Sequence, residues 1–481
     1  MNKGRRELLW QKIDGCPDLL TLHFAKPERY PFLLESTSQA VDHRVDRGRY
    51  DILFAFPKEK LTLTSLHDLT IDGRKIDNQD FLYQLDRWFI GEQIDPYPAL
   101  SSEIPLEIPF RGGWFLYLGY DLAARIEPIL YPPLAKNTQT HADRIEAQFP
   151  IAVAWRVPAA IICDKRKQET ILITEPDQAH HMEELERDLL SGKLFFPPPS
   201  LALDTPMQED PSGEFLERIG KITRYIREGD VFQVNLSRGW HGRLQEEIKP
   251  GQIYHRLRQY NSAPFSGLAV WDDFAVISSS PERLIHIQAE NGHRMVETRP
   301  IAGTHPRDSN LITDRQLSNT LMSHPKERAE HIMLIDLERN DLGKVCEYGS
   351  VRVDELMALE SYTHVHHIVS NVRGKLTDDA TPGKVLRAVF PGGTIIGCPK
   401  VRCMEIIAEL EQVPRGPYTG SMGYLNRDGS ADLNILIRTI CQHGNQLSLR
   451  AGAGIVADSI AERELKETRH KAQGPLRALS S

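Results

Sequence analysis

The sequence has little cysteine and no pairing motif for it. Its six cysteines are scattered over 481 residues, and none forms a Cys-x-x-Cys pair. This pattern disfavours a disulfide framework or a structural zinc site and favours reduced thiols in the cytosol. Long apolar runs are also missing, because the most apolar stretch, residues 151–163, is broken by Arg156 and Pro158. Since residues 1–10 also lack an apolar signal segment, we expect a cytoplasmic protein with neither a signal peptide nor a membrane span.

An excess of basic charge is absent as well. The formal net charge is -8 and the pI is near 6.2, which disfavours a phosphate-backbone ligand, so we expect no nucleic acid partner. No fixed-period repeat is present, which argues against a solenoid or a propeller. With 40% hydrophobic residues, the chain can bury the core of an ordinary globular protein.

Short apolar runs separated by polar turns predict an antiparallel, β-rich opening. Helical periodicity follows at residues 81–89 and 180–190, and an aromatic strand with a glycine bend is predicted at 110–121. The concentrated proline and glycine segment is residues 191–213, where we place the boundary between two regions. Beyond it, strands and helices are predicted to alternate to the end of the chain.

Two predicted helices each carry a pair of glutamates three residues apart. The first, residues 324–343, holds Glu327 and Glu330, and the second, which Ser459 can cap, holds Glu464 and Glu467. Carboxylates at this spacing share a helix face and can hold a hard cation such as magnesium. From the first helix alone, ion pairs with neighbouring basic residues on a solvated face remain the alternative.

Two motifs that suggest nucleotides are set aside. GAGIVA at residues 452–457 fits the dinucleotide fingerprint, but its β-branched residues continue a strand and do not open a helix. GGTIIGCPK resembles a phosphate loop until Cys398 occupies the place of the required lysine. The sequence therefore favours neither a dinucleotide-binding protein nor a nucleotide hydrolase.

Nine motifs in register resemble the chorismate-utilising enzyme family: FQVNLS, SPE, PIAGT, AEHIMLIDLERNDLG, HHIVSNVRG, PGGT, GCPK, NILIRT and GAGIVADS. They span a predicted chorismate-binding catalytic domain, residues 212–475. LLES and GGWFLYLGYD, in an amino-terminal region of residues 1–205, resemble the aminating members, anthranilate synthase and aminodeoxychorismate synthase component I. The resemblance implies a two-layer α/β (α+β) fold, in which antiparallel sheets from the two halves interleave in a sandwich-like core flanked by helices.

The resemblance also implies a magnesium cofactor and a set of site residues. Glu330 and Glu467 would be the principal magnesium ligands, supported by Glu327 and Glu464. Chorismate is a dianion, and a bridging cation would let it approach these carboxylates. The implied catalytic residues are Glu282, His367, Gln233 and Thr394, the implied substrate-binding residues are Gly303, Thr304, Tyr418, Arg438, Gly452, Ala453, Gly454 and Lys471, and the implied tryptophan-binding residues are Glu35, Ser36, Pro264 and Phe265.

Physical chemistry supports some of these roles directly. The Arg438 guanidinium can grip a carboxylate with a bidentate fork, and Tyr418 and Lys471 can donate further hydrogen bonds. An acid such as Glu282 must protonate the departing ring hydroxyl, since hydroxide is a poor leaving group. Without the family resemblance, lone carboxylates and histidines are more often structural than catalytic.

The choice of reaction depends on two positions. By resemblance, Gln233 favours amination over isochorismate formation, whereas Ala302 stands where many aminodeoxychorismate synthases have a lysine nucleophile. Because LERNDLGKVCEYGSV, GCPKVRCMEII and GYLNRDGS resemble that branch more closely, the sequence predicts 4-amino-4-deoxychorismate as the product, in para-aminobenzoate and folate biosynthesis. The alternatives are an anthranilate synthase component, which would serve tryptophan biosynthesis, and an inactive tryptophan-binding or scaffolding subunit.

The source of ammonia is predicted to be a second chain. No stretch resembles a glutaminase, and no cysteine sits in a recognisable nucleophile motif. We therefore expect a heterodimer with a separate glutaminase subunit that supplies ammonia.

Overall fold

The computed structural model describes residues 8–38, 48–77, 80–94, 108–191, 201, 203–245, 248–308, 310–323, 325–361 and 365–480. The α-helices in these ranges are α1 (Leu20–Ala25), α2 (Phe81–Glu92), α3 (Ala123–Ile126), α4 (Tyr131–Thr140), α5 (Ile145–Gln148), α6 (His180–Ser191), α7 (Ser212–Glu228), α8 (Pro250–Tyr260), α9 (Leu311–Ser323), α10 (Pro325–Gly343), α11 (Pro382–Val389), α12 (Lys400–Glu411) and α13 (Ala461–Leu479).

The strands before residue 205 and around it are β1 (Leu9–Asp14), β2 (Phe32–Glu35), β3 (Tyr50–Ala55), β4 (Lys60–Ser65), β5 (Asp68–Ile71), β6 (Arg74–Lys75), β7 (Gly113–Leu118), β8 (Ala152–Val157), β9 (Ala159–Asp164), β10 (Glu169–Thr174) and β11 (Leu203–Glu209). The strands that follow are β12 (Gln233–Leu244), β13 (Phe265–Trp271), β14 (Phe274–Ser280), β15 (Arg283–Glu290), β16 (His293–Thr298), β17 (Ile301–Pro306), β18 (Arg352–Ser361), β19 (Val365–Lys375), β20 (Gly397–Cys398), β21 (Ser421–Asn426), β22 (Ala431–Asn434), β23 (Thr439–His443) and β24 (Gln446–Ile455).

Two large antiparallel sheets form the fold, and both interleave strands from the two halves of the chain. One runs β1-β10-β9-β3-β2-β13-β14-β23-β24-β12-β11, with β20 paired to β12. The other runs β17-β19-β16-β15-β22-β21-β7-β8-β4-β5-β6, with β18 paired to β19. The predicted α/β fold with interleaved antiparallel sheets is therefore confirmed. Strands on both sides of residues 191–213 hydrogen-bond to one another, so the predicted regions 1–205 and 212–475 share both sheets.

The sheets are held together by buried apolar faces. All six residues of β7, GWFLYL, and all six of β8, AVAWRV, are buried, as expected for strands covered on both faces. A stacked aromatic pair, Phe32 and Phe115, joins β2 of one sheet to β7 of the other, with ring centroids 4.2 Å apart. This contact shows that the sheets pack face to face around a shared core.

The helix predicted at residues 324–343 is confirmed as α10, although His324 lies outside the described residues. The final helix is also confirmed, but Ser459 does not cap it: Ile460 precedes α13 without a side-chain cap. The Ser459 hydroxyl instead accepts a 3.1 Å hydrogen bond from the Val456 amide and closes the turn between β24 and α13. The Ser459 side chain therefore stabilises the turn before α13 and does not cap that helix.

The apolar stretch DLNILIRTI, residues 432–440, is divided between two strands. It ends as β22 at Asn434 in one sheet and resumes as β23 at Thr439 in the other. Arg438 has a φ of 52°, a left-handed conformation that a strand does not allow. The chain therefore changes sheets at this point, which places Arg438 between the two sheets. No helix among the described residues is long and apolar enough to cross a membrane.

Candidate active site

The floor of the site is the strand pair β12 and β24 beside helix α10. Gln233 begins β12, and its side-chain amide donates a 2.6 Å hydrogen bond to the Glu330 carboxylate of α10. Gly454 lies opposite Asn235 in the paired strand, and a Cβ at Gly454 would collide with the Gln233 amide. Glycine is required here because the side chains of α10 and β12 lie against the bare backbone of β24.

Helix α13 reaches the same stretch of β24. Lys471 donates a 3.0 Å hydrogen bond to the Gly452 carbonyl and forms a 2.7 Å ion pair with Glu467. A Cβ at Gly452 would lie 2.7 Å from the Tyr418 hydroxyl, so the glycine lets that buried tyrosine approach the strand. The pairing of β24 with β23 ends before residues 452–454, so no strand in the described ranges pairs with that backbone edge, which can accept hydrogen bonds from a ligand or donate them to it.

The candidate proton donor, Glu282, lies in the short turn between β14 and β15. It is buried, and burial raises the pKa of its carboxyl to about 7. The Thr394 hydroxyl lies near enough to favour the charged form of this carboxyl, although it completes no hydrogen bond with the described residues. A carboxyl that is half protonated near neutral pH suits general acid catalysis.

His367 lies on β19, opposite Thr304 of β17 in the ladder between those strands. Burial and the nearby Arg438 guanidinium lower the pKa of this histidine to about 4, and its ring also interacts with the Gly303 backbone. The imidazole is therefore neutral near pH 7. It can accept a proton or a hydrogen bond, but it is not a charged acid.

Arg438 projects from the crossover between the sheets toward Glu282 and His367, with which it interacts electrostatically. Burial lowers the pKa of its guanidinium, and the Glu282 carboxyl opposes this shift. The half-buried guanidinium forms no ion pair with any described residue. Since a desolvated arginine without a carboxylate is costly, this group is suited to receive an anionic ligand.

The edge of the site is formed by β17 and α10. Gly303 has a φ of 74°, and a Cβ there would lie 2.9 Å from the Glu327 carboxylate. Ala302, the residue before it, is buried and carries no nucleophile. The predicted substrate-binding residues Gly303 and Thr304 therefore border the site. For Thr304 this holds for the backbone, which is the part of that residue that the structure describes.

A buried ion network supports the Tyr418 side of the site. Arg415 and Glu411, both almost fully buried, form an ion pair of 2.7 Å. The same guanidinium donates a 2.8 Å hydrogen bond to the Asn235 carbonyl, contacts Thr419, and lies 5.5 Å from the Tyr418 ring centroid. Burial raises the pKa of Tyr418 to about 12, so its hydroxyl stays protonated and can donate a hydrogen bond.

The donors for magnesium are distributed over two helices. Glu327 and Glu330 lie on α10, and Glu464 and Glu467 lie on α13, with Glu464 buried and Glu467 exposed. Among the described residues no three His, Cys, Asp or Glu side chains are grouped as a ready-made metal site. The residues nevertheless fit the ion, because both helices converge on β24, carboxylates are ligands that Mg²⁺ prefers, and the buried Gln233 Oε1 has no hydrogen-bond partner among the described residues. Magnesium binding stays a prediction.

The residues predicted to bind tryptophan line a separate cavity of about 140 Å³. Glu35 and Ser36 close one side at the end of β2, and Pro264 and Phe265 close another at the start of β13. The Ser36 hydroxyl is buried without a hydrogen-bond partner among the described residues, so it is available to a ligand. Burial and the nearby Asp51 carboxylate raise the pKa of Glu35. The structure thus brings the four residues together, while the identity of any ligand stays a prediction.

One predicted substrate-binding residue contributes its backbone alone. The Ala453 side chain is fully buried in the hydrophobic core, on the opposite face of β24 from its glycine neighbours. Buried polar residues near the site to which the motifs assigned no role are Glu338, Glu411 and Arg415. For Glu338, the available signal was its spacing of four residues from the apolar Leu334, which places the two side chains on one face of α10.

Comparison with known proteins gives a family match over most of the chain. Residues 43–477 match the model of a family described as chorismate binding enzyme. Two relatives are each 41% identical to the chain. They are an anthranilate synthase component I-like protein of Synechocystis sp., over 79% of this chain and 75% of that protein, and aminodeoxychorismate synthase component 1 of Bacillus subtilis, over 80% of each.

A solved structure also resembles the whole fold. The crystal structure of anthranilate synthase component I from Streptococcus pneumoniae matches with a TM-score of 0.72 and 29% sequence identity, and the match covers 91% of this chain and 94% of that chain. The names of these similar proteins divide between two reactions, so similarity alone does not select the product.

Proposed function

This chain belongs to the chorismate binding enzyme family and is a chorismate-utilising enzyme, and we propose that it aminates chorismate with ammonia to give 4-amino-4-deoxychorismate. The observation that carries this proposal is the 2.6 Å hydrogen bond from the Gln233 amide to Glu330 on the floor of the site. A neutral amide cannot deprotonate water, whereas ammonia is already a nucleophile. The nearby amine of Lys471 donates a hydrogen bond to the Gly452 carbonyl and forms an ion pair with Glu467.

Substrate binding follows from the charges in the site. The Arg438 guanidinium, which has no ion pair with the described residues, would bind a chorismate carboxylate through two parallel hydrogen bonds. The Tyr418 hydroxyl and the open backbone edge at residues 452–454 would donate further hydrogen bonds. Magnesium, when held by Glu330 and Glu467 with support from Glu327 and Glu464, would neutralise substrate charge beside these carboxylates.

The chemical step exchanges a ring hydroxyl for an amino group. Protonated Glu282 gives its proton to the hydroxyl at ring carbon 4, the carbon–oxygen bond breaks, and water leaves. Ammonia forms the new carbon–nitrogen bond, and the nitrogen returns one proton to the Glu282 carboxylate. The overall reaction of chorismate and ammonia to 4-amino-4-deoxychorismate and water is thus balanced, and Ala302 supplies no covalent adduct.

Chromatography of a reaction that contains chorismate, ammonium and magnesium tests the proposal. We expect 4-amino-4-deoxychorismate without pyruvate, and we expect Ala302→Lys to leave the product unchanged. Glutamine should not replace ammonium when the rigorously purified chain is used alone, because a separate glutaminase subunit is proposed to supply the ammonia. Anthranilate with stoichiometric pyruvate would instead establish the second candidate function, an anthranilate synthase component. The absence of a nucleophilic side chain at Ala302 favours this second function.

We predict that Glu330→Gln and Glu467→Gln each raise the magnesium concentration needed for half-maximal activity by at least about ten-fold. Each substitution removes one anionic oxygen ligand while it keeps the size of the side chain. Magnesium titrations of the steady-state rate check this, and Glu462→Gln, at an exposed glutamate in the first turn of α13, is the matched control. Wild-type magnesium dependence in either ligand variant would refute the assignment of that residue.

We also propose that the cavity beside Ser36 binds tryptophan, and we predict that Ser36→Trp abolishes this binding. The new indole would fill the space between β2 and β13, where the cavity is about 140 Å³. Isothermal calorimetry with tryptophan measures the loss, and Ser65→Trp, at an exposed strand end, is the control. Equal heats of tryptophan addition for the wild type and Ser36→Trp would show that tryptophan binds outside this cavity or does not bind.

A further inference from the structure

A second buried carboxyl, Glu338 of α10, lies near enough to the proposed proton donor Glu282 to interact with it electrostatically. The same two chain segments approach both groups. The Ile301 amide and the Thr394 hydroxyl interact with Glu282. The nearby Thr298 hydroxyl and Gly393 amide interact with Glu338.

The position of Gly393 shows how close this packing is. A Cβ added there would lie 3.2 Å from the Glu338 carboxylate oxygen. Thr394, the next residue, lies beside Glu282. Two successive residues of one turn therefore approach the two carboxyls, one beside each, and the two carboxyls interact with each other.

Neither of the two carboxyls is ion-paired within the part of the chain that the structure describes. Glu282 is 6% exposed and Glu338 is 5% exposed, and neither forms an ion pair with a described residue. Lys400 lies near Glu338, but its ammonium group is ion-paired with Asp341. Two neighbouring buried carboxyls without an ion-paired partner are costly to charge at the same time, so the pair favours a state with at least one proton.

The surrounding charges explain why a second carboxyl is useful. Lys471 and Arg438 both interact with Glu282 and favour its charged form, which cannot donate a proton. The negative charge of Glu338 opposes them. On the Glu338 side, Asp341 favours the protonated form and Lys400 the charged form, while burial raises the pKa of Glu338 to about 7.

We propose that Glu338 is a positioning residue for the reaction, because it keeps the neighbouring Glu282 protonated against the two cations of the site. The role of Glu282 as proton donor rests on the proposed function. The relation between the two carboxyls rests on their packing. Glu338 itself contacts neither the substrate nor the reacting atoms in this scheme.

The pH dependence of kcat/KM tests the proposal. Removal of the Glu338 charge should lower the pKa of Glu282, so the acid loses its proton at a lower pH. In Glu338→Gln, the falling alkaline limb of the profile should therefore move down by about one pH unit, a ten-fold change in proton affinity. Glu338→Asp should restore much of the wild-type profile, and Glu405→Gln, at a half-buried α12 glutamate that is ion-paired with Arg402, should leave it unchanged.

A second measurement does not depend on turnover. Carbon-13 NMR of protein labelled at the glutamate carboxyl carbon should show one resonance that is missing in Glu282→Gln, and this resonance should titrate at lower pH in Glu338→Gln. An unchanged titration, or a uniform loss of kcat/KM at every pH, would overturn the inference and leave Glu338 a structural residue. If the resonance shifts while the wild type forms no aminated product, the inference about the carboxyl pair stands and the proposed function fails.

Discussion

Glu282→Gln should lower kcat by about 10²- to 10⁴-fold while KM for chorismate changes little. Glutamine keeps the size of the side chain and its hydrogen bonding, but it cannot give a proton to the departing hydroxyl. The leaving group would then have to depart as hydroxide, which raises the barrier of this step alone. Steady-state kinetics with saturating ammonium and magnesium, followed by chromatography of the product, measures the effect.

The pH profile gives an independent check on the same residue. Because burial raises the pKa of Glu282 to about 7, the acid is protonated below that pH and charged above it. The kcat/KM of the wild type should therefore fall as the pH rises through about 7, and Glu282→Gln should lack this limb. The loss of kcat in Glu282→Gln should also be larger than the loss in Glu175→Gln. Glu175 is a buried glutamate that pairs with Arg156 away from the site. Equal losses in the two variants would mean that Glu282 serves the fold and not the chemistry.

The sequence predicted the elements that have a strong local signal. The periodicity of α10 and the β-branched residues that follow Gly454 are properties of neighbouring residues, and both α10 and β24 formed as predicted. The glycines at residues 452–454 were correctly assigned to a strand, because no helix follows until Ala461. The interleaving of strands from distant segments has no local signal, and only the resemblance to a family predicted it.

The missed features all depend on tertiary contacts. Glu338 belongs to a run of charged residues, and the turn at Gly393 packs against its carboxylate only in the folded protein. Arg438 belongs to the apolar motif NILIRT, and the change of sheet gives it a left-handed backbone that the motif does not reveal. Arg415 follows a helix as an ordinary polar residue, and its contacts with Asn235 and Thr419 join segments far apart in the chain. Sequence patterns report periodicity and charge, whereas these positions are defined by segments that meet in the folded protein.

Arg438→Met should raise KM for chorismate much more than it lowers kcat. Loss of a buried, hydrogen-bonded partner of a charged group costs about 2–5 kcal/mol, which corresponds to about 30-fold to several-thousand-fold in kcat/KM. Arg438 is suited to this role because its guanidinium lies between the sheets, near Glu282 and His367, without an ion pair among the described residues. Methionine fills a similar volume without the charge or the donors.

Three controls separate binding from damage to the fold. Arg438→Lys keeps the positive charge but loses the bidentate fork, so it should recover only part of the affinity for chorismate. Arg427→Met removes another half-buried arginine, which bonds the Glu92 carbonyl in the amino-terminal region, and it should leave KM near the wild-type value. The pKa of His367 should rise in Arg438→Met because a neighbouring positive charge is gone, and histidine NMR resonances can follow this change without substrate. A wild-type KM together with a shifted His367 pKa would show that the guanidinium lies in the site but does not bind the substrate carboxylate.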